Sequence, residues 1–150
     1  MRELEKLGEN LVFPEITDSE NLLTLKHIEE TNSTSIHIRR GDYADLGLTA
    51  ENSVIRNMVD LMREKQPDLS LFVFSDDIEW CRNNEESIGF SKCRELFYVS
   101  NNSGIDSYRD MQLMSKCKNM ILSNSAFCYL AALLNKELKL VLNPNRNRPL

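Results

Sequence analysis

The apolar residues of this chain form five short runs, and the segments between the runs have helical periodicity. The runs predict strands at residues 34–38, 71–74, 95–99, 120–122 and 138–142. Between them, the spacing of apolar side chains predicts helices at residues 20–30, 49–66, around Trp80, 107–117 and 126–134. Because strand and helix alternate throughout, the pattern predicts an α/β fold: a Rossmann-like parallel sheet with helices on both faces.

Polar residues mark where the predicted helices begin. Thr49 is placed to cap the second helix, after a glycine-containing loop at Gly41, and the third helix has its cap at residues 75–77. Residues 107–110 have the spacing of a capping box, in which Asp110 would bond back to the helix start. These signals fix the expected boundaries of the loops.

Three polar groups follow directly after strands, at residues 37–42, 75–77 and 123–125. The carboxyl ends of parallel strands meet at one edge of a sheet, so we expect these groups to converge on one rim. Arginine forks match phosphate geometry, and a helix start offers free N–H groups to an anion. Arg39, Arg40 and the turn at 123–125 therefore predict a pyrophosphate site. The structural alternatives are an arginine–aspartate pair closing a strand end, and simple helix capping.

Composition narrows the class of protein. The chain has 150 residues, the size of one domain, and its 23 acidic and 18 basic residues form no basic run, which argues against a nucleic-acid partner. It has no apolar stretch of membrane-spanning length and no secretory signal, which predicts a cytoplasmic location and leaves only peripheral membrane contact open. The four cysteines are too scattered for a zinc site or redox pair, and the adjacent acids do not suit a metal.

Three ordered blocks of sequence carry a family resemblance. Residues 35–43 (SIHIRRGDY) resemble the H-x-R-R-x-D motif of the α-1,2-fucosyltransferases of glycosyltransferase family eleven. Residues 72–77 (FVFSDD) resemble a second block of that family, and residues 110–125 a third. The order and spacing agree over roughly residues 13–135, and three ordered motifs are far more specific than one.

The resemblance implies the donor-binding half of a GT-B-type enzyme that moves fucose from GDP-fucose to a galactose-terminated glycan, without a metal or cofactor. By the same comparison, Arg39 binds the diphosphate, His37 helps to place the nucleoside, and Asp110 recognises the guanine edge. Arg40 is a further substrate-binding residue. The remaining residues of the implied nucleotide cleft are Ser75, Asp76, Asn124 and Ser125. Asp42 is the candidate base for the acceptor hydroxyl, and its alternative role is to orient Arg39 or Arg40 as an ion-pair partner.

The sequence departs from the family pattern at two places. Ala126 stands where the family usually has a second serine, and residues 1–32 show no Gly-Asn-Gln motif of the family's amino-terminal region. We therefore expect residues 1–150 to form a single GDP-fucose-binding domain, with a helical segment at 1–32 and the amino-terminal half of the family absent. The rival interpretations are a non-catalytic GDP-sugar-binding module and a fucosyltransferase with a different acceptor.

Overall fold

A computed structural model describes residues 11–47 and 49–144. The helices are α1 (Ser19–Glu30), α2 (Gly41–Asp45), α3 (Asn52–Lys65), α4 (Ile78–Asn83), α5 (Tyr108–Met114) and α6 (Ala126–Leu134). The strands are β1 (Ser33–Ile38), β2 (Ser70–Ser75), β3 (Glu95–Val99), β4 (Asn119–Ile121) and β5 (Leu140–Leu142), and single 3₁₀ turns lie at Phe90–Lys92 and Gly104–Asp106. The first ten residues of the predicted amino-terminal segment and the tail after Pro144 lie outside the described residues.

The five strands form one parallel sheet in the order β3-β2-β1-β4-β5. β1 is central, and its end at Ile38 is level with Ser75 at the end of β2, whereas Ile36 is level with Ile121 of β4. The three predicted polar groups therefore follow strands that end side by side. The predicted fold class is confirmed.

Helices cover both faces of the sheet, and each face has its own apolar core. Phe72 and Phe74 of β2 pack on the face that carries α1, α5 and α6. Leu71 and Val73 alternate with them and pack on the opposite face, against α3 and α4. A strand buried on both faces needs apolar residues at every position, which is why residues 71–74 read as a continuous apolar run.

The structure differs from the predicted boundaries at the start of α3 and at Gly41. Helix α3 begins at Asn52 with Glu51 as its N-cap residue, rather than with a cap at Thr49, and the Asn52 side chain is anchored 3.1 Å from Ser87 Oγ. A tertiary contact therefore sets this boundary instead of the local cap signal. The segment at Gly41, expected as a loop, forms the short helix α2, in which the Ala44 N–H bonds the Arg40 carbonyl.

The predicted capping box at residues 107–110 does not form. Ser107 already has helical dihedral angles because the 3₁₀ turn Gly104–Asp106 runs directly into α5, and its side chain makes no cap bond. The carboxylate of Asp110 instead accepts from Asn102, at 2.9 Å. The capping interpretation of Asp110 is therefore wrong, because its carboxylate is hydrogen-bonded to Asn102 instead.

Within the described residues, no helix combines the length and apolar character needed to cross a bilayer. The four cysteines are free thiols, three of them buried and Cys93 partly exposed.

Candidate functional site

The turn that follows β1 holds two arginines against the end of β2. Asp76 Oδ1 accepts the backbone N–H of Arg40 at 2.7 Å, and its Oδ2 lies 3.7 Å from Arg39 Nε. On the other side, Arg39 Nη2 lies 3.0 Å from Asp42 Oδ1. Arg39 is thus held between two carboxylates while 38% of its side chain stays exposed to solvent.

Gly41 allows Asp76 to approach this turn. A Cβ atom at Gly41 would lie only 2.5 Å from Asp76 Oδ2. Glycine is required here for the close approach of the carboxylate and not for an unusual backbone angle, because Gly41 is not among the residues with positive φ. The Arg40-Gly41-Asp42 sequence therefore has a structural reason for its central residue.

Arg40 is placed by an aromatic ring that the sequence analysis did not assign to the site. Its guanidinium carbon lies 3.9 Å from the centroid of the Trp80 ring, within the range of a cation–π contact. Trp80 is in the first turn of α4, whose N-cap is Asp77: the Trp80 N–H bonds Asp77 Oδ1 at 3.0 Å. The cap predicted at residues 75–77 is therefore confirmed, and it also positions the ring beneath Arg40.

Ser75 joins the ends of β1 and β2. Its hydroxyl donates to the Ile38 carbonyl at 2.6 Å and accepts the Asp77 N–H at 3.0 Å. These two bonds give the Ser75 hydroxyl a structural role beside the cleft. Its contact with a nucleotide remains a prediction.

His37 leaves β1 on the face opposite Ile36 and Ile38. Its Nδ1 lies 3.1 Å from Ser123 Oγ, and its ring is 5.2 Å from that of Phe127. Burial lowers the pKa of His37 to about 4, so the imidazole is neutral at pH 7. The positive charge at this end of the sheet therefore comes from the arginines, and His37 acts as a neutral hydrogen-bonding group.

The turn between β4 and α6 is closed by side chains of α6. Ser125 Oγ accepts the Phe127 N–H at 3.3 Å, which confirms its capping role, and Cys128 Sγ donates to the Ser125 carbonyl at 3.1 Å. Cys128 Sγ also accepts the Ser123 N–H at 3.3 Å. Ser123 belongs to the polar group predicted at residues 123–125, whereas sequence reasoning missed Cys128, which contacts that turn from three to five positions further along the chain.

These elements enclose a cleft of about 320 Å³ at the carboxyl ends of β1 and β4. Its polar lining comes from His37, Arg39, Arg40, Ser123 and Asn124, and its apolar wall comes from β1, β4 and the start of α3. The predicted convergence of the 37–42 and 123–125 groups is confirmed. Ser125 is not among the lining residues, so the two residues before it form that part of the wall.

Asp110 lies apart from this cleft, near the end of β3. Its carboxylate accepts from Asn102, which follows β3 in the chain. Burial raises the pKa of Asp110 to about 6, and the Asn102 hydrogen bond opposes that rise. β1 and β3 are separated by β2, so the cleft and the Asn102 loop follow different strands of the same sheet.

The sequence model of glycosyl transferase family 11 matches residues 9–148 of this chain. The chain belongs to glycosyl transferase family 11. The alpha-1,2-colitosyltransferase of Escherichia coli is 38% identical over 76% of this chain and 40% of its own length, and the O-antigen biosynthesis glycosyltransferase WbnK of Escherichia coli is 35% identical over 91% and 49%. The galactoside alpha-(1,2)-fucosyltransferase 1 of Saimiri boliviensis boliviensis is 28% identical over 66% of the chain and 28% of its own length.

Among solved structures, the fucosyltransferase NodZ from Bradyrhizobium aligns with 77% of this family 11 chain and 42% of its own, at 18% identity and a TM-score of 0.48. The chain spans about half or less of the length of the curated relatives named above. The family match covers all three resembling blocks, which confirms the predicted family.

Proposed function

We propose that this chain carries the donor-nucleotide site of a galactoside α-1,2-fucosyltransferase, which transfers fucose from GDP-fucose with inversion. The observation that carries the proposal is the position of the arginine turn beside the turn that leads into α6, on one rim of the sheet, in a family 11 chain. Two of the relatives have names that specify an α-1,2 linkage, and one of these names specifies fucose and a galactoside. These names support the linkage and the acceptor class.

The proposed chemistry places positive charge where the diphosphate departs. Arg39 offers a two-pronged fork, and Arg40 is stacked on Trp80 beside it. The start of α6 adds backbone N–H groups and the positive end of its dipole. Stabilising the charge that develops on the leaving group is often the largest single contribution to such catalysis.

Asp42 is the candidate base that would take the proton of the acceptor hydroxyl. Its 3.0 Å pairing with Arg39 supports the alternative, in which it orients the guanidinium. Asp42→Asn separates the two roles. Loss of transfer with GDP affinity retained would support the base, and loss of GDP affinity would support the orienting role.

The decisive experiment is a calorimetric comparison of GDP, GDP-fucose, UDP and ADP binding to the chain, followed by transfer of labelled fucose to lactose. We expect the guanine nucleotides to bind, and transfer by this chain alone to be weak. The cleft lies open on the rim of the described residues, and holding an acceptor in attack geometry is worth about 7–11 kcal/mol of barrier. Failure to bind GDP would refute the proposal, and robust α-1,2 transfer would show that the chain is sufficient by itself.

A second candidate donor is GDP-colitose, because the colitosyltransferase is 38% identical to this chain. Colitose differs from fucose by a single ring hydroxyl, so the nucleotide site described here suits both. The same transfer assay with the two donors side by side distinguishes them. Nucleotide binding with no turnover of either donor, even with the rest of a family 11 enzyme supplied, would instead support a non-catalytic module.

A further inference from the structure

A chain of side-chain amides connects Asp110 to the first turn of α1. Asn102 Nδ2 donates to Asp110 Oδ1 and to Asn21 Oδ1, at 2.9 Å in each case. In return, Asn21 Nδ2 donates to Asn102 Oδ1 at 2.8 Å and to Asp18 Oδ1 at 3.1 Å. The amide of Asn102 is therefore fixed through both its oxygen and its nitrogen.

The far end of this chain is built into the helix. Asn21 is only 3% exposed, and its backbone N–H bonds Asp18 Oδ2 at 3.0 Å, which caps α1. Asn21 cannot move without breaking that cap, so Asn102 is held by an ordered element rather than by another loop. This arrangement restricts the orientation of the Asp110 carboxylate.

Asp110 has one carboxylate oxygen held and the other available. Oδ1 accepts from Asn102, and across residues 11–47 and 49–144 no side chain or backbone group donates to Oδ2. Guanine presents two N–H donors side by side, at N1 and the 2-amino group, whereas hypoxanthine has only the first and adenine has an acceptor at N1. A carboxylate accepts both guanine donors, one at each oxygen, only when its plane is aligned with the guanine edge, and Oδ1 can accept a second hydrogen bond because each carboxylate oxygen has two lone pairs.

We propose that Asn102 is a positioning residue for base recognition: it orients Asp110 toward the guanine edge, and Asn21 orients Asn102. The inference rests on the proposed function and on the contact with the guanine edge that the family resemblance implies for Asp110. It extends that function because it attributes the specificity for guanine to a carboxylate that is already oriented before the nucleotide binds, rather than to one that becomes oriented on binding.

The test compares GDP with IDP, which lacks the 2-amino group, on the wild-type chain, Asn102→Ala and Asn101→Ala. Asn101 is the matched control because its Nδ2 also donates to Asn21 Oδ1, at 3.1 Å, without a hydrogen bond to Asp110. We expect Asn102→Ala to weaken GDP about five- to tenfold and IDP much less, so that the preference for GDP falls severalfold. Asn101→Ala should keep the wild-type preference.

A double-mutant cycle with Asp110→Asn shows whether Asn102 acts through Asp110. If it does, adding Asn102→Ala to Asp110→Asn changes the GDP preference no further. Thermal melts establish that each variant is folded, and Asn102→Ser replaces Asn102→Ala if the latter does not fold. A folded Asn102 variant with the wild-type preference, alongside an Asp110→Asn variant that has lost it, overturns this inference alone. A wild-type chain that binds GDP and ADP equally overturns the base assignment on which it rests.

Discussion

Gly41→Ala should damage the arginine turn through a single contact. The new Cβ would lie 2.5 Å from Asp76 Oδ2 and 3.4 Å from its Cγ, so the carboxylate must turn away. Turning breaks its 2.7 Å bond to the Arg40 N–H, worth about 1.5 kcal/mol for a charged acceptor that is partly solvated. It also loosens the exposed ion pair with Arg39, worth at most about 1 kcal/mol. The expected loss of unfolding free energy is therefore about 1.5–2.5 kcal/mol.

Urea unfolding of four proteins measures this effect: the wild type, Gly41→Ala, Asp76→Ala and the double variant. In the Asp76→Ala background the obstructing carboxylate is gone, so Gly41→Ala should cost almost nothing there. GDP titration should show binding to Gly41→Ala weakened about tenfold, because 1.4 kcal/mol of lost positioning corresponds to one order of magnitude. Equal losses of stability in the two backgrounds would refute the reasoning, since the clash could not then be the cause.

Four further outcomes are expected. Arg39→Lys keeps the charge but loses the fork, so GDP should bind about tenfold or more weakly, consistent with ~1.5–3 kcal/mol; unchanged affinity would place the diphosphate elsewhere. Burial raises the pKa of Asp110 to about 6, so GDP affinity should be constant above pH 7 and fall below pH 6 as the carboxylate takes up a proton; a flat profile would remove Asp110 from the site. Burial lowers the pKa of His37 from 6.5 to about 4, and the unfolded chain therefore takes up this proton first. The wild type should lose stability between pH 6.5 and 4 more steeply than His37→Gln, and equal slopes would contradict the burial argument. GDP binding should survive EDTA because guanidiniums neutralise the diphosphate; loss restored by Mg²⁺ or Mn²⁺ would assign that role to a cation.

The sheet and the rim could be predicted because each depends on local sequence or on a general rule. The continuous apolar run at 71–74 has few solutions other than a strand buried on both faces, and parallel strands necessarily bring their carboxyl ends together. The positions of His37 and Arg39 relative to the turn at 123–125 followed from these two facts alone.

The contacts that hold the site could not be predicted, because they join residues far apart in the chain. Asp76 reaches the Arg40 N–H across 36 positions, and Asn21 reaches Asn102 across 81. Contacts between short polar side chains at such separations leave no periodic pattern in the sequence from which they could be predicted. The capping-box error at Ser107 has a different cause, since a 3₁₀ turn upstream had already satisfied the helix start.

The central place of β1 has a consequence for how the protein folds. Ser75 secures Ile38 from 37 positions away, and His37 finds Ser123 from 86 positions away. Closing such long loops has an entropic cost before any contact forms, and sheets dominated by distant pairings fold slowly for this reason. The arginine turn can therefore reach its final geometry only after β2 and β4 have docked on either side of β1. A nascent or partly folded chain should lack the cleft even when several of its helices are already formed.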